Sequence, residues 1–163
     1  MGNREQGSPE WPPKIALCVG AVVLQEDRVL FVRQAKGQSL EGQWSIPWGV
    51  IEPDEPPEAA AVRETEEEGG VKAQVEGLLG LQDLPADGWV AVVFLCRHVS
   101  GEPRSDGGIE TDGAAYLSLD EMEALGEPFE PWCEWLVRRV MGGAYCLIPP
   151  EPGNPYHPNL AFF

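Results

Sequence analysis

Three glutamates, Glu64, Glu67 and Glu68, stand at i, i+3 and i+4, a spacing that sets all of them on one face if the segment is helical. Three ionised carboxylates held so close repel one another, at roughly 0.2–0.5 kcal/mol for each like-charged helical pair. A hard divalent cation removes that penalty, and an all-oxygen donor set selects Mg²⁺ or Mn²⁺ over zinc. The surroundings intensify the effect. Between Glu52 and Glu68 there are eight acidic residues and a single base, Arg63. Charge alone is equally well explained by a solvated acidic helix face, so the order and spacing of the neighbouring residues must discriminate.

Gly49 is followed after five residues by Glu55, then after seven more by Arg63 and Glu64, by Glu67 and Glu68, and by Gly70 and Val71. This order resembles the signature of the Nudix hydrolase superfamily, G-x5-E-x7-R-E-U-x-E-E-x-G-U with U a bulky aliphatic, and it matches every fixed position. The resemblance extends over about residues 15 to 142. It implies an α/β/α sandwich with a mixed β-sheet. It also implies a metal-dependent hydrolase that cleaves the pyrophosphate bond of a nucleoside diphosphate linked to another moiety, water attacking phosphorus. Mg²⁺, or Mn²⁺, is the implied cofactor, which a protein this acidic needs before it can receive a pyrophosphate. By the same resemblance Glu67 and Glu68 are the leading metal ligands, Glu64 shares a second ion, and the backbone carbonyl of Trp48 is a further ligand. Arg63 lies four residues before Glu67 and is expected to hold the carboxylates by charge-assisted hydrogen bonds. The water-activating base varies in the family. Glu55, Glu64 and an acid on the loop before the late strand are the candidates, with Glu110 placed ahead of Asp112 by its distance to Tyr116.

Three departures carry consequences. Trp48 stands where the family usually has a second Gly, and a loop that needed glycine's backbone freedom would follow another path there. Thr65 replaces the aliphatic U, so its hydroxyl needs a partner. Pro56 takes the place of a frequent Ser or Thr cap and removes that capping bond.

The elements that must position these residues read as follows. Ile15–Leu24 and Arg28–Arg33 are apolar runs around a polar turn, the pattern of a β-hairpin. Trp44–Trp48 is a short strand, with Pro47 placing it at an edge or an end. Glu58–Glu68 is a helix, with Pro57 at its first position and Gly69–Gly70 as its stop. Val71–Leu81 and Trp89–Val99 are strands around a turn at Pro85–Gly88. Gly101–Gly113 is a loop, Ala114–Leu119 a strand and Asp120–Leu125 a short helix. Glu130–Met141 carries Trp132, Trp135, Leu136, Val137 and Val140 at helical spacing. Residues 1–14 form an N-terminal extension, 15–142 the domain and 143–163 a proline-rich tail, expected as an irregular arm packed on its own domain or on a neighbour.

With 163 residues, 11 Lys and Arg and 27 Asp and Glu, the net charge is −16. That charge opposes nucleic-acid or anionic-membrane partners, which require a basic footprint. No apolar run is long enough to span a bilayer. The N-terminal stretch lacks a signal-peptide core, so a cytoplasmic protein is expected. Cys18, Cys96, Cys133 and Cys146 show no C-x-x-C pairing, and with His98 and His157 they make no zinc pattern.

Substrate contacts are expected from Arg33, toward a phosphate, and from Trp44, Trp48 or Trp89, an indole being able to stack on a base. Pro85, fifteen residues past Gly70, is a pointer to ADP-ribose or a nucleotide sugar. Nucleoside triphosphates and dinucleoside polyphosphates are the alternative substrates, and a nucleotide-sensing module without catalysis is the alternative class. The apolar end Leu160–Phe163 is a candidate homodimer contact.

Overall fold

The structure is a computed structural model that describes residues 15–84, 88–156 and 158–163. The N-terminal extension 1–14, Pro85 and His157 lie outside the described residues. Along the chain come β1 (Ala16–Gln25), β2 (Arg28–Gln34), β3 (Trp44–Ser45), β4 (Trp48–Val50), α1 (Pro57–Gly69), β5 (Lys72–Asp83) and β6 (Trp89–Ser100). They are followed by β7 (Thr111–Leu117), α2 (Leu119–Leu125), α3 (Pro131–Met141), β8 (Pro150–Glu151) and β9 (Ala161–Phe162).

The main sheet runs β3-β2-β1-β6-β5, with β4 added to β1 and β7 to β2. It is mixed because β1 and β6 pair in parallel, from Ala16↔Trp89 to Leu24↔Arg97. The β1–β2 hairpin closes at Gln25↔Arg28, with Glu26 in the left-handed region. Beyond that turn β1 takes β4 as its antiparallel partner, with Gly20 opposite Trp48 and Cys18 opposite Val50. The strand expected over Trp44–Trp48 is therefore two strands. β3 joins β2 and β4 joins β1, and the break falls at Pro47, which has no N–H for a ladder.

The long apolar run of β1 is explained by its two covered faces. Cys18 and Val22 belong to one core cluster, with Phe31, Trp44, Ile46, Val93, Leu95 and Val137 of α3. Val19, Ala21 and Val23 point the other way, to Leu30, Val71, Phe94 and Ala60 and Ala61 of α1. Alternate residues of one strand thus build two cores, and the expected α/β/α sandwich follows. Burial of each large side chain, Phe94 for example, stabilises the fold by about 1.5–3 kcal/mol.

α1 begins at Pro57 after Pro56, whose side chain makes no capping bond, and ends at Gly70, whose φ of 72° and N–H to Glu66 close the last turn. Small residues bring it close to the sheet: a Cβ on Gly69 would lie 2.8 Å from Leu30. The proline-rich tail packs on its own domain. Leu78 and Ile148 exchange backbone hydrogen bonds of 2.8 and 3.0 Å, β8 pairs with β9, and Phe162 meets Phe94 at 5.4 Å between ring centroids. Among the described residues no helix is long and apolar enough to cross a membrane.

Candidate active site

The last two turns of α1 carry Glu64, Glu67 and Glu68 past the end of β4 and the loop before β7. Gly49 is required by the approach of Glu64: a Cβ there would stand 2.1 Å from the Glu64 carboxylate carbon. Glu64 and Glu68 are buried, at 6% and 3% exposure. Carboxylate oxygens of Glu64, Glu68 and the exposed Glu110 all lie within 4.8 Å of one another. This trio unites two residues of the helix with one that is more than forty positions away.

Arg63 organises the rest of the cluster. Its Nε and Nη2 donate to the two oxygens of Glu55 at 2.8 and 2.9 Å, a bidentate pair. Its Nη1 donates to Glu64 at 2.7 Å and to Glu67 at 2.9 Å, and Nη2 also reaches the Val50 carbonyl at 3.1 Å. Glu67, whose side chain is 56% exposed, thus stands outside the close trio, although it lines the same cleft. Glu55 is a tether for Arg63, and that guanidinium holds its carboxyl below the usual carboxylate range.

The trio is electrostatically uncomfortable. Burial pushes Glu68 up to about 8; the Trp48 N–H, donated to Glu68 Oε2 at 3.0 Å, opposes this, while the charges of Glu64, Glu110 and Asp106 add to it. Burial also raises Glu64, against its bond to Arg63. The last turn of α1 holds no basic residue, and acids at a helix C-terminus face the negative end of the dipole. Among the described residues, neither Glu68 nor Glu110 has a cationic side chain as partner. An all-oxygen set, partly buried and short of positive charge, fits a hard divalent cation.

Around the trio opens a cleft of about 590 Å³ whose walls include Gln38, Glu52, Trp48 and Trp89. Trp48 also borders a second, mostly apolar chamber of about 450 Å³, with Leu84, Gln82, Glu130 and Trp132. Trp48 and Ser39 therefore border both the charged compartment and the apolar one.

Two expected substrate residues lie elsewhere. Trp44 is 7% exposed within the core, and its Nε1 donates to Glu127 at 2.8 Å. Arg33 is committed to Asp112 at 2.7 Å and Glu127 at 3.0 Å, with its guanidinium over the Trp44 ring. Neither is among the residues that line the cleft or the apolar chamber, and packing and ion pairing already engage both side chains. Asp112 is drawn away in the same way, and Glu110 is the loop acid that faces Glu64 and Glu68. The departures are accommodated. Trp48 lies in a strand without positive φ, and the Thr65 hydroxyl donates to the Ala61 carbonyl at 2.7 Å. Three features escaped sequence reasoning: the Trp48 N–H on Glu68, the chamber wall of Gln82 and Trp132, and Asp106, whose position before Gly107–Gly108 is a turn signal.

Against known families, the model of the NUDIX domain matches residues 14–136. The chain belongs to the NUDIX family. As a Nudix protein it is 37% identical to a MutT-like protein of Streptomyces ambofaciens over 120 residues, covering 72% of this chain and 74% of that one. It is 35% identical to a human 8-oxo-dGDP phosphatase over 100 residues, but these span only 30% of that longer protein. Among solved structures, the MutT Nudix hydrolase of Burkholderia pseudomallei superposes with a TM-score of 0.67 at 28% identity, over 78% of this chain and 98% of that one. The Nudix fold and membership among the pyrophosphohydrolases stand on these likenesses together with the intact box.

Proposed function

We propose that this Nudix hydrolase cleaves the pyrophosphate bond of a nucleoside diphosphate joined to another moiety, of the ADP-ribose or nucleotide-sugar type. The observation that carries the reading is the convergence of Glu64, Glu68 and Glu110 within 4.8 Å beside an apolar chamber. A pyrophosphate sits against the acids only through a cation, whereas a nucleoside or sugar end suits the chamber across Trp48. Glu64, Glu68 and Glu110 would hold Mg²⁺ or Mn²⁺, with Glu67 and the Trp48 carbonyl as further donors. Bound there, the ion neutralises phosphate charge and lowers the pKa of water.

The residues of the chain divide the remaining work. Arg63 fixes Glu64 and Glu67 by donating to both, and Glu55 locks Arg63 from behind. The Trp48 N–H keeps one oxygen of Glu68 oriented. Glu110 is exposed and has no cationic side chain as partner among the described residues, so an oxygen it does not give to the ion is placed to take the proton of the attacking water, as Glu55, paired with Arg63 through both oxygens, is not. The P–O bond then breaks, and a nucleoside monophosphate and a phosphorylated second fragment leave. Trp48 and Trp89 shape the cleft around the substrate.

A nucleoside di- or triphosphate is the second reading, favoured by the likeness to the human 8-oxo-dGDP phosphatase. The four free thiols, three of them buried, agree with a reducing compartment such as the cytoplasm.

Incubation with ADP-ribose, nucleotide sugars, dinucleoside polyphosphates and nucleoside triphosphates, with and without Mg²⁺, tests the proposal. Metal-dependent release of nucleoside monophosphate from the first two classes is expected. Turnover confined to the triphosphates would replace the substrate assignment. Tight binding without turnover of any substrate would make the chain a sensor.

A further inference from the structure

Glu110 sits on a loop where, among the described residues, no hydrophobic side chain from 101 to 110 is buried. Ile109 beside it is 75% exposed, so burial does not order this stretch and hydrogen bonds must. They come mainly from one side chain. Asp106 Oδ1 accepts the N–H groups of Gly108, Ile109 and Thr111 at 3.1, 3.0 and 3.1 Å. Its Oδ2 accepts the N–H of Glu110 itself at 2.7 Å. Gly107 and Gly108 supply the positive φ values, 87° and 93°, that wrap the backbone around this carboxylate.

The turn is then tied to the helix. Thr111, fully buried, donates its hydroxyl to the carbonyl of Glu68 at 2.9 Å and accepts the Asp106 N–H at 3.2 Å. On the other side Ala35 N–H donates to the Glu110 carbonyl at 2.8 Å. The Gln38 side chain donates to the Ile109 carbonyl at 2.9 Å. The backbones that carry Glu68 and Glu110 are therefore linked through Thr111, and Asp106 sets the angle at which the second approaches the first.

We infer that Asp106 is a positioning residue of the hydrolytic site: by gathering four backbone N–H groups it aims Glu110 at Glu64 and Glu68 before any ligand arrives. The inference rests on the proposed role of Glu110. A carboxylate is suited to the task because it accepts at both oxygens and its charge strengthens each bond. Its charge also falls on a cluster already overloaded with acid, a cost consistent with a site built to receive a cation.

The test compares Asp106→Ala, Asp106→Asn and Glu110→Gln in the full chain. Mn²⁺ affinity is measured without substrate by electron paramagnetic resonance, and kcat and KM with the substrate found above. Asp106→Ala is expected to lower kcat on the order of 10²-fold, the cost of about 1 Å of misplacement, with KM little changed. Mn²⁺ binding should weaken about tenfold, while the melting temperature stays close to that of the parent. Asp106→Asn retains the Oδ1 acceptor for Gly108, Ile109 and Thr111 but turns an NH2 toward the Glu110 N–H, so it should recover only part of both losses. The two variants remove the same charge, so the gap between them reports the turn. Equal behaviour of Ala and Asn, or parental kcat and Mn²⁺ affinity in the Ala variant, overturns the inference. If Glu110→Gln is inactive while Asp106→Ala is not, the inference alone falls. If Glu110→Gln matches the parent, the role of Glu110 falls and the inference with it.

Discussion

Arg63 and Arg33 each gather several carboxylates, yet the two regions are built to opposite ends. Around Arg33, Asp112 and Glu127 are balanced by the guanidinium and by the Trp44 N–H, and those carboxylates are partly open to solvent. The Trp44 backbone and the Pro128–Glu130 segment complete the arrangement: the Trp44 carbonyl accepts from the Glu130 N–H, and the Trp44 N–H donates to the Pro128 carbonyl. The result fastens α3 to the sheet. Around Arg63 the base is again saturated, by Glu55, Glu64 and Glu67, but Glu68 and Glu110 are left over beside it. The first region gives each carboxylate a donor and leaves its remaining charge to solvent, and it is structural. The second leaves buried negative charge uncompensated, at the end of a helix whose dipole makes it worse, and such an arrangement persists where something positive binds.

That contrast is broken most sharply by removing one carboxylate from each region. Glu68→Gln should reduce kcat on the order of 10²–10³-fold, the scale for deleting one preorganised electrostatic contact, and should weaken Mn²⁺ binding. Its melting temperature should not fall, because glutamine replaces a buried carboxyl that burial already disfavours in its charged form. Glu127→Gln should leave kcat within about twofold, since exposed ion pairs contribute little. Steady-state assays and calorimetric melting of both variants check this; comparable losses of activity would erase the distinction between the regions.

A smaller effect separates the two bases themselves. Arg63→Lys keeps the charge but cannot serve Glu55 at two oxygens while reaching Glu64 and Glu67, because an ammonium lacks the planar fork. Activity should drop about 10–100-fold, the usual cost of losing a group that orients metal-binding carboxylates. Arg33→Lys should keep full activity and lose at most a few degrees of melting temperature. Inactivity of Arg33→Lys with intact folding would restore Arg33 as a substrate contact.

How far the sequence carried the reading follows from how local each feature is. The box, the helix expected over Glu58–Glu68 and the apolar runs of the β1–β2 hairpin are all contained in short stretches, and the structure agrees with them. Ligand geometry was less legible. Helical spacing groups Glu64, Glu67 and Glu68, but 100° per residue turns Glu67 toward Arg63 and solvent, while Glu64 and Glu68 stack under Gly49 and Trp48. The third member of the trio, Glu110, depends on a loop whose path is set by Asp106. Trp44 and Trp48, four residues apart, looked alike as stacking platforms. What separates them is the distant Pro128–Glu130 segment bonding to Trp44, a contact no local pattern announces.

The most delicate consequence of the contrast lies in the pH dependence of stability, where the two regions carry opposite signs. Glu127, held below its ordinary range first by the Trp44 N–H and then by Arg33, stabilises the fold above the carboxylate range, and that contribution is lost as pH falls through its lowered value. Glu68 works the other way. Its pKa in the folded protein is raised to about 8, so the folded state binds more protons than the unfolded one across the interval between. Its contribution is complete below the ordinary glutamate value of about 4.3 and disappears as pH rises through about 8. Metal-free protein should therefore melt on the order of 10 °C lower at pH 8.5 than at pH 5.5. At the proposed metal site saturating Mg²⁺ should keep Glu68 ionised and flatten that slope, and Glu68→Gln should flatten it without metal. Glu127→Gln should alter only the acid limb. Scanning calorimetry from pH 3 to 9, with Mg²⁺ and with chelator, reads all of these limbs. A slope indifferent to both Mg²⁺ and Glu68→Gln would mean that the leftover carboxylates by Arg63 are no more strained than the paired ones by Arg33.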